Sequence, residues 1–184
     1  MTVEKTAVTA VAGLMALAAR TAPKGKGVDT ILVQVLAGKE IKTLAKAMSE
    51  YGEKHDLHFF LRDAKNVAAS DACVLIGAKG DVAAGINCGG CGYPTCADLT
   101  KECRKRKKQT TPFAGPNCAI RITDLGIAVG SAVKTAQIHN VDNRVMYTAG
   151  TAARELNLLG KECTVAYGIP LSASGKNIFF DRVP

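Results

Sequence analysis

The 184-residue sequence contains no tryptophan, only nine aromatic residues (four Tyr and five Phe) and only three histidines. With so few large rings, any core must be assembled from Ala, Val, Ile and Leu. His55, His58 and His139 are scattered, and none stands at metal-ligand spacing from a cysteine. No Ser-His-Asp or Cys-His arrangement and no Walker-type phosphate loop is visible, so hydrolase and nucleotide-triphosphatase readings have no support. No run is long and apolar enough to cross a bilayer. Acidic residues are also in the minority, 16 against 24 Lys+Arg, for a formal charge of +8.

What is present is a chain that is 47% hydrophobic, enough to bury a substantial core, which excludes disorder and a disulfide-stapled miniprotein. Seven cysteines is an odd number, and four of them fall within residues 88–103. Secreted disulfide frameworks favour even counts spread along the chain, so the pattern predicts a metal site in a reducing compartment, the cytoplasm. The apolar stretch 6–19 ends in small residues as a signal peptide would. Glu4 in the flank and the helical spacing of Val8, Val11, Leu14, Met15 and Ala18 instead predict a packed helix.

Along the chain, a helix is expected over residues 3–21, stopping near Pro23 before the basic loop Lys24-Gly25-Lys26-Gly27. Residues 30–36 and 72–77 read as strands buried on both faces, 57–61 as a short strand and 163–168 as a further strand. Helices are expected from Ile41 to Gly52, over 119–139 and over 151–159, followed by an irregular arm from Pro170 onward. Gly126 and Gly130 sit one turn apart in the long apolar helix, where each costs up to about 1 kcal/mol relative to Ala; they predict close approach by a neighbour. Interleaved helices and buried strands give an α/β protein, an α+β sandwich of one domain (1–184) with a Cys-rich insertion at 86–118.

The most specific signal is Asn87-Cys88-Gly89-Gly90-Cys91-Gly92-Tyr93-Pro94-Thr95-Cys96, with Gly115-Pro116-Asn117-Cys118 downstream, a C-x2-C-x4-C-x21-C spacing. Four thiolates suit a [4Fe-4S] cubane, in which each iron takes one exogenous sulfur, and the glycines let backbone N–H groups turn toward the sulfurs. Structural zinc also accepts four cysteines, but zinc ribbons present two matched C-x2-C knuckles rather than three clustered cysteines and a lone fourth. Cys103 competes with Cys118 for the fourth position. On a helix, though, it would stand two turns from Cys96, about 10.5 Å of rise. Cys73 and Cys163 lie in apolar strands and read as core.

Residues 87–99 resemble the short iron–sulfur motif of the electron-transport complex B subunit and of the corrinoid iron–sulfur protein's large subunit. Almost the whole chain is similar to the bacterial and archaeal ferredoxin domain-containing family, with segments 124–136 (DLGIAVGSAVKTA), 143–150 (NRVMYTAG) and 168–182 (GIPLSASGKNIFFDR) carrying the likeness. That resemblance implies a cluster-binding protein. A more distant one, in the order of helix, Ala22-Pro23, Gly loop, strand and long central helix, then Gly168-Ile169-Pro170 and Arg182, is to the flavin nitroreductases. It implies a nitroreductase-like central sheet flanked by helices, a homodimer with the first helix in its interface, and FMN held near Pro23, Lys24, Lys26 and Arg182. The family's N-terminal Arg-Arg-Ser phosphate clamp is absent here, and Gly27 and Ile31 replace its usual Asn and Trp.

Residues 101–108 (KECRKRKK) carry a local charge of +5. Beside the cysteines such a run suits docking of an acidic redox partner; without interleaved aromatics it is a poor nucleic-acid signal. The leading expectation is therefore electron transfer through one [4Fe-4S] cluster on Cys88, Cys91, Cys96 and Cys118. The alternatives are an FMN-dependent oxidoreductase fed by that cluster, and a zinc-stabilised interaction module.

Overall fold

The computed structural model describes residues 2–106 and 111–180. Its centre is a four-stranded antiparallel sheet, formed by β1 (Ile31–Ala37), β2 (Ala72–Ala78), β3 (Asp142–Asn143) and β4 (Val165–Ser172) in the spatial order β1-β2-β4-β3. All seven residues of β2 are buried, and their alternation splits the core in two. Val74 and Ile76 face the helices α1 (Val3–Thr21) and α5 (Ala119–Ile138), meeting Val8, Met15, Leu125 and Ala132. Cys73 and Leu75 face α2 (Lys39–His55), α3 (His58–Ala69) and α6 (Tyr147–Glu155), meeting Leu44, Met48, Val67 and Ala152. Two helical layers thus explain why 72–77 reads as an unbroken apolar run although the sheet is antiparallel, whereas β1, expected to be buried on both faces, is an edge strand in which only Ile31 and Leu36 are buried. Cys73 and Cys163 are core, as expected, and burial pushes their thiols up to about 12 and about 11.

Residues 57–61 are not a strand. Leu57 precedes α3, whose Phe60, Ala64 and Val67 form the buried stripe. The helical period is hidden by Asp63, a buried carboxylate on that same face, which accepts a hydrogen bond from Thr148 Oγ1 at 2.9 Å and pairs with Arg62 at 2.8 Å. The helix expected at 151–159 begins earlier, at Tyr147, and the last strand runs through Pro170 to Ser172. Proline is tolerated there because the same flank of β4 is paired only by Met146 at Gly168 and by β3 at Leu171 and Ser172. The missing N–H of Pro170 falls in the gap between these partners.

Among the described residues Gly126 and Gly130 meet no neighbour from another element: a Cβ built on either has no such atom within 4 Å. The helix packs through Leu125, Ala128, Ala132 and Ala136 instead, leaving both glycines on its exposed side with Ile127. Close helix–sheet approach occurs elsewhere, at Gly150, where a Cβ would lie 1.9 Å from the carbonyl oxygen of Ala166. Among the described residues no helix is long and apolar enough to cross a membrane.

Candidate metal centre

The Cys-rich segment leaves the sheet after β2 and returns to it at α5, and a short ladder of hydrogen bonds ties both ends down. The Gly80 N–H donates to Thr164 Oγ1 at 2.9 Å, and the Cys118 N–H donates to the Gly80 carbonyl at 2.7 Å. The Ala114 N–H donates to the Thr164 carbonyl at 2.8 Å. Gly80 has to be glycine, because a Cβ would sit 2.3 Å from Asn117 Oδ1 and 2.6 Å from Thr164 Oγ1. Cys118 is thereby held, buried, at the N-cap position of α5.

Cys96 opens the helix α4 (Cys96–Lys105), which Thr95 caps by accepting the Asp98 N–H at 3.2 Å. The loop ahead of it folds back onto the thiol. The Asn87 N–H donates to Cys96 Sγ at 3.4 Å, while Asn87 Oδ1 accepts the Cys96 N–H at 2.8 Å. Asn87, then the N–H groups of Ile86 and Gly85 and the nearby Lys26 ammonium hold the Cys96 thiol below its ordinary range against partial burial. Gly85 and Asn87 both have positive φ, 72° and 49°, which lets consecutive N–H groups face one sulfur. Asn87 adds to the motif glycines expected to turn N–H groups toward sulfur, of which Gly89 and Gly92 have φ 70° and 85°. An Asn two residues after a Gly, just ahead of Cys88, was the available signal.

The other thiols gather around Leu99. Cys118 and Ala84 are buried against it, and Cys91, Tyr93 and Cys103 pack at its edge. Cys88 is exposed, and its Sγ lies 3.7 Å from where a Gly90 Cβ would be; that same Cβ would be 3.1 Å from Ala119, the residue after Cys118. The Cys103 Sγ points to the Pro116 carbonyl at 3.5 Å, and burial followed by the Asp81 carboxylate pushes its thiol up. Among the described residues no three Cys, His, Asp or Glu side chains already stand together as a closed ligand set. The chemistry of the donor set nonetheless fits an iron–sulfur group: all thiols, one with backbone N–H donation to sulfur, and a small apolar wall.

Sequence reasoning missed the residues that fasten this segment to the rest of the molecule. Arg121 and Asp124, 1% and 3% exposed, pair at 3.0 Å one turn into α5. Arg121 also donates to the Val82 carbonyl at 3.1 Å, at the root of the Cys-rich loop, and to the carbonyls of Gly25 at 3.1 Å and Val28 at 3.3 Å. Asp124 accepts the Gly25 N–H at 2.7 Å. An Arg and an Asp three apart in an apolar helix were the only trace of this in sequence.

The flavin candidates are divided by the fold. Pro23 is exposed at the end of α1. Lys24 turns back, donating to the Arg20 and Ala19 carbonyls and standing 3.9 Å from Asp29. Lys26, at φ 59°, reaches the Cys-rich loop, its Nζ 3.9 Å from a Cβ built on Gly85. Arg182 lies outside the described residues, as do Lys107 and Lys108 of the basic run. Within that run Arg106 turns inward to Asp81 at 2.8 Å, and Lys101, Arg104 and Lys105 face outward.

This geometry agrees with the comparisons to known proteins. A family model described as an uncharacterized protein containing a ferredoxin domain matches residues 114–182, and an Fe-S cluster model matches residues 84–111. An uncharacterized protein of Archaeoglobus fulgidus is 47% identical over 171 residues, covering 93% of this chain and 89% of its own. The chain belongs to this family of ferredoxin-domain proteins. Its fold is that of the nitroreductases. A Lactococcus lactis nitroreductase solved with nicotinic acid aligns with TM-score 0.60 at 10% identity, covering 91% of this chain and 79% of its own. An FMN-dependent nitroreductase of Clostridium difficile aligns with TM-score 0.53 at 18% identity, covering 96% and 79%.

Removing one member of a buried ion pair strands the other, at a cost of about 3–5 kcal/mol. Arg121→Met should therefore destabilise the protein by about that much in urea denaturation, and Arg121→Met/Asp124→Leu by clearly less. A loss below about 1 kcal/mol for the single variant would show that the pair does not fasten the loops.

Proposed function

We propose that this protein carries one [4Fe-4S] cluster on Cys88, Cys91, Cys96 and Cys118 and serves in cytoplasmic electron transfer. The observation that carries the reading is the reciprocal pair at Cys96, whose Sγ accepts the Asn87 N–H at 3.4 Å while its own N–H donates to Asn87 Oδ1 at 2.8 Å. Zinc thiolate sites need four sulfurs as well, but the three-plus-one spacing and the Fe-S cluster match at residues 84–111 favour iron. A bound cluster supplies one-electron redox chemistry. The chain's own part is to hold four thiolates, to donate N–H hydrogen bonds that stabilise negative charge on sulfur, and to keep water from the Leu99 side. Cys96 and Cys118 stand at the starts of α4 and α5, whose positive dipole ends favour the same negative charge.

A second reading, with FMN beside the cluster, draws on the FMN-dependent nitroreductase neighbour and on one observation, the contact of the 24–27 loop with the Cys-rich loop through Lys26 and Arg121. It assigns Pro23, Lys24, Lys26 and Arg182 to the flavin. Lys24 is already engaged by α1 carbonyls, so Lys26 and Arg182 carry more of that assignment.

A homodimer accounts for the exposed faces of α1 and α5. Leu14, Leu17 and Ile127 are exposed there beside Gly13, Gly126 and Gly130, none of which has an atom within 4 Å of a built Cβ. Helix glycines without a neighbour in their own chain are costly unless a second chain approaches them. Sedimentation should give twice the 19.2 kDa chain mass, and Gly130→Arg should shift it to the monomer. A wild-type monomer at all concentrations would refute the dimer.

Ligand assignment is tested by Cys→Ser variants of anaerobically purified protein, with iron and flavin assayed together. Cys118→Ser should lose most of its iron, and Cys103→Ser should retain about four irons per chain. The reverse pattern would move the fourth ligand to Cys103. Bound FMN that disappears in Arg182→Ala while iron stays would establish the second reading; absence of FMN from the wild type would remove it.

A further inference from the structure

α4 carries two adjacent rows of side chains, each stepping four residues at a time. One is Cys96, Thr100 and Arg104; the other is Ala97, Lys101 and Lys105. At 1.5 Å of rise per residue, Arg104 lies about 12 Å along the axis from Cys96. These rows border an open groove of about 580 Å³ against Ala83. Its floor at one end is the proposed cluster ligand, and its wall is basic. Among the described residues neither Lys101 nor Arg104 has a carboxylate partner, whereas Lys105 pairs with Glu102 at 2.6 Å and Arg106 with Asp81 at 2.8 Å. The acids of the helix, Asp98 and Glu102, border the second row on the side away from Cys96, and Glu102 is taken up by Lys105. Next to Cys96 in the groove lining stands Ala97, exposed and with the smallest side chain of its row.

We propose that this groove docks an acidic one-electron carrier protein, with electrons crossing at the Cys96 end. Charge complementarity identifies the occupant: two unpaired cations one and two turns from a redox ligand match a carboxylate-lined surface around a partner's own cofactor. The proposal rests on the cluster reading above. The step it serves moves one electron between the thiolate-held cluster and the carrier's centre, one oxidised and the other reduced, with no bond broken and no proton transferred.

The probe is an acidic plant-type [2Fe-2S] ferredoxin, titrated calorimetrically into the full-length holoprotein at low and high salt. Lys101→Glu/Arg104→Glu should weaken binding by about tenfold or more, and Lys54→Glu/Lys65→Glu, with the same net charge on α2 and α3, by less than about threefold. Ala97→Trp should slow electron transfer to the ferredoxin and leave reduction by dithionite unchanged. Equal effects of the two charge-reversed pairs would overturn the proposal. So would ferredoxin failing to bind while a single-stranded oligonucleotide binds through Lys101 and Arg104. Iron and binding are read separately. A protein without iron whose ferredoxin binding still maps to Lys101 and Arg104 sinks the cluster reading alone; one with iron and no such binding sinks the docking surface alone.

Discussion

The buried pair Arg121–Asp124 fastens the candidate centre's loop to the rest of the molecule. The two charges sit one turn into α5, and between them they reach the 25–28 loop, the root of the Cys-rich loop at Val82 and, through the helix itself, the turn that ends in Cys118. A guanidinium with five donors suits such a task, since one rigid planar group can satisfy several carbonyls that would otherwise be buried without partners. Desolvating it is expensive, and the Asp124 carboxylate and three carbonyls offset that cost. The result couples three chain segments far apart in sequence, so the thiols are positioned by the α/β core rather than by their own loop.

The core in turn is arranged to carry that loop. The sheet is sealed on both faces by helices whose contacts depend on small residues, Ala128, Ala132 and Ala136 on one side and Ala149, Gly150 and Ala153 on the other. The Cys-rich segment is inserted between β2 and α5, where Gly80, the Thr164 hydroxyl and Cys118 join it to the sheet by hydrogen bonds. The sheet and long central helix have the nitroreductase fold, and Arg121 ties the 24–27 loop to the root of the Cys-rich loop. Positive charge from Lys26 and from the outer face of α4 lies near Cys96, the thiol held below its ordinary range.

Much of this was legible in sequence. The continuous apolar run of 72–77 gave the central strand β2, because burial on both faces leaves no polar alternation to confuse, and the apolar run 30–36 gave the edge strand β1. Cysteine spacing gave the candidate centre, since ligand spacing is local. What was hidden depended on partners distant in the chain. Asp63 disguised a helix as a strand because the hydroxyl that satisfies it is on Thr148. Gly126 and Gly130 signalled a close neighbour, but among the described residues none approaches them. Arg121 and Asp124 looked like ordinary helix charges, and only the folded backbone of Gly25, Val28 and Val82 reveals their use.

The account stands or falls on what the thiols bind. The decisive measurement is a visible absorption spectrum of anaerobically purified protein with iron, acid-labile sulfide and zinc quantified on the same sample. The account predicts a brown protein whose broad visible absorption bleaches on reduction, with about four iron and four sulfide per chain. A colourless protein with about one zinc per chain and no sulfide would contradict it.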